Sequence, residues 1–227
     1  MVTRQTISAA AVIPARYGSK GVPNKNIRNL GGIPLLAHTI RLAIDTPCVD
    51  RVLVSTEHDD IAGIARNYGA EIIHRPLELA TATALTDPVI LHAVEVGQIS
   101  EEIILTLEPT SPFRTKETIE RCVSIFEETE ADSVIGVVEN NKKSGQIVDG
   151  VFVYDNPGLA NRRQDRPSRF EDCGIIYGTR RDLLIKSGRL RGDRLYAVVV
   201  DSSEAIDIND RWDFTLAELV YKHIYKT

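Results

Sequence analysis

Positively charged side chains cluster in one glycine-containing segment near the start of the chain. The segment ARYGSKGVPNKN carries Arg16, Lys20 and Lys25, with Gly18 and Gly21 between them. Glycines allow tight turns, and their N–H groups can bind an anion. The segment lacks the spacing of a Walker loop and of a dinucleotide fingerprint. We therefore predict that it binds a polyphosphate in another way; the alternative is a surface turn with solvated cations.

The periodicity of the apolar residues predicts an α/β fold that places this segment at the edge of a sheet. Apolar runs alternate with helical spacing over the first 130 residues. Strands joined by helices run parallel and carry helices on both faces, and ligands bind at the carboxyl ends of such strands. The predicted strands are 8–14, 51–56, 70–74, 103–107, 133–138, 174–178 and 196–200. The predicted helices are 34–44, 59–68, 88–96, 115–129 and 210–224, with Thr115 as an N-cap.

Residues 146–172 depart from this alternation. Residues 146–154 favour a hairpin that turns at Asp149 and Gly150, a pair typical of a type I′ turn. Residues 156–172 are polar and rich in arginine. A compact domain seldom contains so long an irregular segment unless the segment is functional or packs on a partner.

Length and composition predict a single domain over residues 1–227. The formal net charge of −5 argues against a nucleic-acid partner. No apolar run approaches the roughly 20 residues that a membrane helix needs. The three cysteines are far apart and show neither disulfide nor metal spacing, which favours a reduced, cytoplasmic protein.

Several segments resemble one enzyme family. The string VIPARYGSKGVPNKNIRNLGGIPLLAHTI resembles the signature of the acylneuraminate cytidylyltransferases, the CMP-sialic acid synthetases. The segments that start at Arg75 (RPLELA), Pro109 (PTSPFR), Arg163 (RQDRP), Gly174 (GIIY) and Ala205 (AIDI) are similar to further family motifs. The similarity covers residues 8–225 in order and with compatible spacing, which makes it more specific than any single motif.

The resemblance implies a Rossmann-like nucleotidyltransferase fold and a homodimer. An arm at about residues 140–195 would reach the partner's active site. The reaction implied is transfer of CMP from CTP to the anomeric hydroxyl of an acidic 2-keto-3-deoxy sugar of the sialic-acid kind, with Mg²⁺ as cofactor and pyrophosphate as product. Two alternatives stay open: another acceptor, such as an octulosonate, a phosphosugar or a phosphonate, and a nucleotide-binding protein without turnover.

The same resemblance assigns roles to individual residues. The predicted catalytic residues are Arg16, Lys25 and Asp207. The predicted nucleotide-binding residues are Ala15, Arg16, Ser19, Lys20, Lys25, Asn26, Arg75, Ala84 and Thr86. The predicted sugar-binding residues are Glu108, Arg163, Gln164 and Tyr177. The predicted metal ligands are Asp207 and Asn209, with Glu108 as a further candidate.

Some of these residues also have a purely structural explanation. Tyr177 ends a predicted strand and could be a core aromatic residue. Asp207 and Asn209 precede a predicted helix, so either could cap it.

The chain departs from the family pattern at four positions. Glu108 stands where a glutamine is expected, and Asn209 replaces the second aspartate of a D-x-D pair. Cys173 replaces an asparagine, and Ala82 replaces an aspartate.

The first two departures suggest that an acidic group has moved. One acid is lost at position 209 and one is gained at position 108. We hypothesise that Glu108 supplies the second acidic metal contact; the rival hypothesis is that it reads a group of the sugar. Residues 188–192 (GRLRG) are more basic than an acyl-binding surface needs, so the identity of the acid sugar stays open.

Overall fold

The predicted, mostly parallel sheet is confirmed. The structure is a computed structural model that describes residues 7–19, 21–158 and 160–225. The strands are β1 (Ala9–Pro14), β2 (Asn29–Leu30), β3 (Ile33–Pro34), β4 (Arg51–Thr56), β5 (Glu71–His74), β6 (Ile103–Thr106), β7 (Ser133–Glu139), β8 (Gly145–Val148), β9 (Val151–Tyr154), β10 (Phe170–Arg180) and β11 (Leu195–Val200). The helices are α1 (Leu35–Ile44), α2 (Asp59–Asn67), α3 (Thr86–Val96), α4 (Lys116–Glu128), α5 (Arg181–Ser187) and α6 (Arg211–Tyr225).

Seven strands form the main sheet, in the order β11-β7-β10-β6-β1-β4-β5. All neighbouring pairs are parallel except those made by β10, which runs antiparallel to both β6 and β7. The parallel strands therefore end at one edge of the sheet, and the segments that follow them can build a common site there.

Helices cover both faces of the sheet, as predicted. Successive residues of each strand point to opposite faces and therefore pack against different helices. Ala11 and Ile13 of β1 belong to the apolar cluster that contains residues of α1, α2 and α4. Ala10 and Val12 belong to the cluster that contains residues of α3 and Leu184 of α5. A smaller third cluster joins α6 to the loop after β1 and to the β2–β3 hairpin.

The predicted elements agree with the structure to within a few residues, apart from three features that the periodicity missed. These are the short β2–β3 hairpin, helix α5, and the early start of β10 at Phe170. The predicted cap is confirmed: the Thr115 hydroxyl accepts a hydrogen bond from the backbone N–H of Thr118.

The predicted hairpin is present and lies outside the main sheet. It turns at Asp149 and Gly150, which have φ values of 50° and 81°, as a type I′ turn requires. Its large apolar side chains are all exposed; they are Ile147, Val148, Val151, Phe152, Val153 and Tyr154. Of the residues included in the predicted arm, 170–180 form β10 of the main sheet and 181–187 form α5.

Within the described residues, no helix has the length and apolar character needed to cross a membrane.

Substitution of Leu105 tests how much the buried centre of the sheet contributes to the free energy of unfolding. Leu105 of β6 is fully buried, so we expect Leu105→Ala to lower the free energy of unfolding by about 2–5 kcal/mol through lost burial and a residual cavity. Leu219→Ala removes the same atoms from an exposed site and should cost within about 0.5 kcal/mol. Urea unfolding followed by circular dichroism measures both, and equal losses would contradict this account of the core.

Candidate active site

A cavity of about 840 Å³ opens at the carboxyl ends of the parallel strands. Five parts of the chain line it: the loop after β1, residues 75–89, the segment after β6, residues 207–209, and a wall formed by β10 and the loop after α5. The predicted segments thus meet around one space although they are far apart in the sequence.

Most of the predicted site residues line this cavity. They are Arg16, Ser19, Lys25, Asn26, Arg75, Ala84, Thr86, Glu108, Tyr177, Asp207 and Asn209. Ala15 does not: its side chain is buried in the core below the loop. Gln164 is exposed and is not among the lining residues. Lys20 and the side chain of Arg163 lie outside the described part of the chain.

The loop after β1 is held in shape by its own polar contacts. Asn26 donates a hydrogen bond of 2.8 Å to the backbone oxygen of Arg16, and the Arg16 guanidinium donates one of 2.9 Å to Gly18. The Lys25 ammonium donates a hydrogen bond to the backbone oxygen of Ile208. Burial lowers the pKa of Lys25, while the negative charges of Asp207 and Glu108 act in the opposite direction.

Gly21 marks the place where this loop touches the segment 207–209. A methyl group on Gly21 would lie 1.9 Å from the backbone oxygen of Asn209, well inside contact distance. The N–H of Ile208 in turn donates to the backbone oxygen of Thr110, 2.9 Å away. The loop after β1, the segment after β6 and residues 207–209 are therefore joined by backbone contacts.

Two carboxylates, Glu108 and Asp207, share this junction. Burial raises the pKa of Glu108, and the charge of Asp207 raises it further, whereas Arg114, Lys25 and Arg75 lower it. Among the described residues, no side chain or backbone N–H donates a hydrogen bond to the Glu108 carboxylate. Within the described ranges, Glu108 is therefore an acid without a close cationic or hydrogen-bonding partner.

Arg114 lies fully buried behind Glu108. Its guanidinium donates to the backbone oxygens of Glu108, at 3.0 Å, and of Ile175, rather than to the carboxylate. Burial lowers its pKa to about 10, and in the described part of the chain its Nη1 has no hydrogen-bond partner. Arg114 thus fixes the backbone that carries Glu108.

The capping explanation for Asp207 and Asn209 is wrong. The side chain of Asp210 accepts hydrogen bonds from the N–H groups of Trp212 and Asp213, so Asp210 is the N-cap of α6. The Asp207 carboxylate instead accepts the side-chain amide of Asn209 at 2.7 Å and faces the cavity.

Glu57 is a site residue that the sequence reasoning missed. One carboxylate oxygen accepts a hydrogen bond of 2.7 Å from the N–H of Tyr17, and the other accepts one of 3.0 Å from the guanidinium of Arg75. Arg75 and Glu57 expose only 3% and 11% of their side chains, so the pair is well shielded from water. Glu57 therefore ties the loop after β1 to residue 75. The only local signal was an acidic residue directly after a strand.

The opposite wall is basic. Tyr177, Arg189 and Arg191 line it, and Arg191 lies over the Tyr177 ring, 5.5 Å from its centre. Asp172 accepts hydrogen bonds from the Tyr177 hydroxyl and from Arg191. Tyr177 is thus a cavity residue and not a core aromatic residue.

The two carboxylates fit a hard cation whose other ligands come from a substrate. No group of three or more His, Cys, Asp and Glu side chains that could hold a metal occurs in the described ranges. Mg²⁺ is often held by one or two carboxylates together with phosphate oxygens, and Glu108 with Asp207 offers such a pair.

Comparison with known proteins identifies the family. A profile described as "Cytidylyltransferase" matches residues 10–198, most of the chain. The chain belongs to the cytidylyltransferase family. It is 44% identical to a CMP-N,N′-diacetyllegionaminic acid synthase of Legionella pneumophila, over 92% of this chain and 94% of that one. The resemblance of the sequence motifs to this group of enzymes is thereby confirmed.

A second relative shows the same relationship over part of its length. The chain is 32% identical to an N-acylneuraminate cytidylyltransferase of Escherichia coli, over 91% of this chain but only 50% of the relative. The chain therefore spans about half of that protein and nearly all of the Legionella one.

The cytidylyltransferase fold is also found in a solved structure. A CMP:2-keto-3-deoxy-manno-octonic acid synthetase complexed with CTP superposes with a TM-score of 0.73, at 16% identity, and covers 96% of this chain and 100% of that one. At this identity the likeness confirms the Rossmann-like nucleotidyltransferase fold.

Gly21 and Gly18 provide a matched test of the junction. Gly21→Ala forces the loop away from Asn209, so we expect the affinity for inorganic tripolyphosphate to fall roughly tenfold, since overpacking costs on the order of 1–3 kcal/mol. Gly18→Ala meets nothing within 4 Å and should leave the affinity unchanged. Calorimetric titration measures both, and equal affinities would show that the contact does not shape the loop.

Proposed function

We propose that the protein transfers CMP from CTP to the anomeric hydroxyl of an acidic 2-keto-3-deoxy sugar of the sialic or legionaminic acid kind and releases pyrophosphate. The observation that carries this proposal is the meeting of Arg16 and Lys25 with Glu108 and Asp207 around one cavity. Cations suit a triphosphate, and the carboxylate pair suits its counter-ion. The Legionella and Escherichia coli relatives support the choice of acceptor class.

The nucleotide would lie with its phosphates on the loop after β1. Such a reaction depends on positioning and on neutralising charge more than on covalent catalysis. Arg16 and Lys25 supply the positive charge, and a bound triphosphate would raise the pKa of Lys25 again and favour its ammonium form. Arg75, Ala84 and Thr86 would receive the base, with Arg75 held in place by Glu57.

Asp207 and Glu108 would hold Mg²⁺, with Asn209 beside them. The ion would offset the negative charge of the α-phosphate and of the departing pyrophosphate. The hydrogen bond from Asn209 keeps the Asp207 carboxylate turned in one direction. The Lys25 ammonium, on the loop after β1, would offset the same negative charge.

The acceptor would then occupy the space next to Tyr177. This wall contains Arg189 and Arg191, which favour an anionic sugar over a neutral one. Arg163 and Gln164 belong to the arm, and we propose that they approach the sugar of a partner subunit's site.

A homodimer is part of the proposal, and the exposed hairpin supports it. A two-stranded hairpin is at best marginally stable alone, and its exposed apolar side chains need a surface to cover them. A cytoplasmic location is also proposed, because Cys48, Cys122 and Cys173 are all free thiols.

Pyrophosphate release tests the proposed reaction. CTP, magnesium and the protein would be supplied in turn with N-acetylneuraminic, legionaminic, pseudaminic and octulosonic acids. Release with a nine-carbon acid establishes the reaction and names the acceptor. Binding of CTP without release from any acid would contradict the proposal and favour a nucleotide-binding protein without turnover.

Substitution of Glu108 tests whether its carboxylate supplies the second acidic contact to the metal. Glu108→Gln removes one of two acidic contacts, so we expect the magnesium concentration for half-maximal rate to rise about tenfold or more. Asn209→Asp in the same chain returns an acid to the junction and should lower that concentration again. If Glu108→Gln keeps a normal magnesium requirement but has an altered KM for the sugar, Glu108 instead binds the acceptor.

Substitutions in the β8–β9 hairpin test whether this hairpin forms the interface of the proposed dimer. Ile147→Asp combined with Phe152→Asp places charge on the exposed apolar surface, and light scattering should then give the mass of one 25.2 kDa chain in place of two. Val96→Asp changes an exposed apolar residue at the far end of α3 and should leave the dimer intact. A dimer that survives the double change would place the interface elsewhere.

A further inference from the structure

Three hydrogen-bond donors converge on the carboxylate of Asp172. The N–H of Gly174 and the hydroxyl of Tyr177 each lie 3.1 Å from one carboxylate oxygen. Arg191 donates to the other oxygen at 2.8 Å. Two oxygens that accept from an amide, a hydroxyl and a guanidinium make this group a complete carboxylate-binding cradle.

The backbone of β10 is shaped to build this cradle. The pairing of β10 with β7 shifts register between Asp172 and Tyr177, and Gly174 within the shift has a φ of 69°. A bulge of this kind re-aims side chains at the edge of a site. Here it brings the N–H of Gly174 and the hydroxyl of Tyr177 to the same oxygen.

The donors belong to the cavity, whereas the acceptor does not. Gly174, Tyr177 and Arg191 all line the cavity, and Asp172 is not among the lining residues. Burial raises the pKa of Tyr177 to about 12, so its hydroxyl keeps the proton that it donates. The three donors could therefore serve a ligand in the cavity as readily as they serve Asp172.

We propose that this cradle is the binding site for the carboxylate of the acceptor sugar, and that Asp172 is an internal stand-in which the sugar displaces. The inference rests on the proposed function, which requires an acidic acceptor. It assigns to Gly174, Tyr177 and Arg191 a role in recognition, and to Asp172 the role of a competitor.

The exposure of the ion pair permits this exchange. Arg191 and Asp172 expose 58% and 32% of their side chains, so water screens their attraction and weakens it. The Arg75–Glu57 pair, with 3% and 11% exposed, could not exchange so easily. A ligand carboxylate can therefore replace Asp172 at small cost.

The charges around the cavity also direct the sugar's carboxylate to this wall. Glu108 and Asp207 at the junction would repel it, whereas Arg189 stands beside Arg191. Among the described residues, no acidic side chain forms an ion pair with Arg189. The positive wall therefore offers the better position for a second anion.

Calorimetric titration with N-acetylneuraminate tests the stand-in without requiring turnover. Asp172→Ala removes the competitor, so we expect the Kd for N-acetylneuraminate to fall, by up to about fivefold. Arg191→Gln removes a charged donor and should raise it about tenfold or more. The methyl ester of the sugar, which lacks the charge, should gain nothing from Asp172→Ala.

Controls separate this inference from other causes. Asp182→Ala removes an exposed aspartate that pairs with Arg181 and should leave the Kd unchanged. The affinity for CTP, which does not use the cradle, should be the same in all variants and reports that they are folded. Asp172→Asn keeps the size of the side chain and should act in the same direction as Asp172→Ala.

The outcomes are distinct. A higher Kd for the sugar in Asp172→Ala would mean that Asp172 positions Tyr177 and Arg191, and would overturn the inference. An equal gain for the methyl ester, or no binding of the acid by either protein, would overturn it too. The proposed function itself is tested separately, because it would be contradicted by an absence of pyrophosphate release from the unaltered protein.

Discussion

The site depends on one close approach of three backbone segments. The loop after β1 meets residues 207–209 at Gly21, and Ile208 is hydrogen-bonded to Thr110 after β6. Lys25 donates to the backbone oxygen of Ile208 and so joins the same junction. Because these contacts involve the backbone, they place the cations of the loop beside the two carboxylates whatever side chains lie further out. Phosphate binding and metal binding thus share one geometric origin.

The charges at this junction are only partly balanced within the chain. Glu108 lies partly buried near Asp207, and its positive neighbours oppose but do not cancel the cost of this burial. Unpaired buried charge is expensive, and proteins retain it mainly where a ligand or an ion completes the pairing. Tyr177 and Arg191 on the opposite wall are instead paired internally, through Asp172. The two sides of the cavity therefore suit different partners, a metal–phosphate group on one and an anionic sugar on the other.

Much of the fold could be predicted from local signals in the sequence, whereas most of the cavity residues were predicted from the resemblance of the sequence motifs to one enzyme family. Periodicity gave β4 at its observed bounds, and Thr115 had the residue type and position of a helix cap. Helix α5 was missed because it has only seven residues, and the antiparallel place of β10 between β6 and β7 has no local signal. The roles of Glu57 and Asp172 were missed for the same reason, since each depends on a chain crossing.

The most direct test of the account is a crystal structure of the protein with CTP and magnesium. We expect triphosphate oxygens against Arg16 and Lys25, a metal ion between the α-phosphate and the Asp207–Glu108 pair, and the base beside Arg75. An ordered nucleotide that binds with its phosphates on the Arg189–Arg191 wall, or with no metal near Asp207, would contradict it.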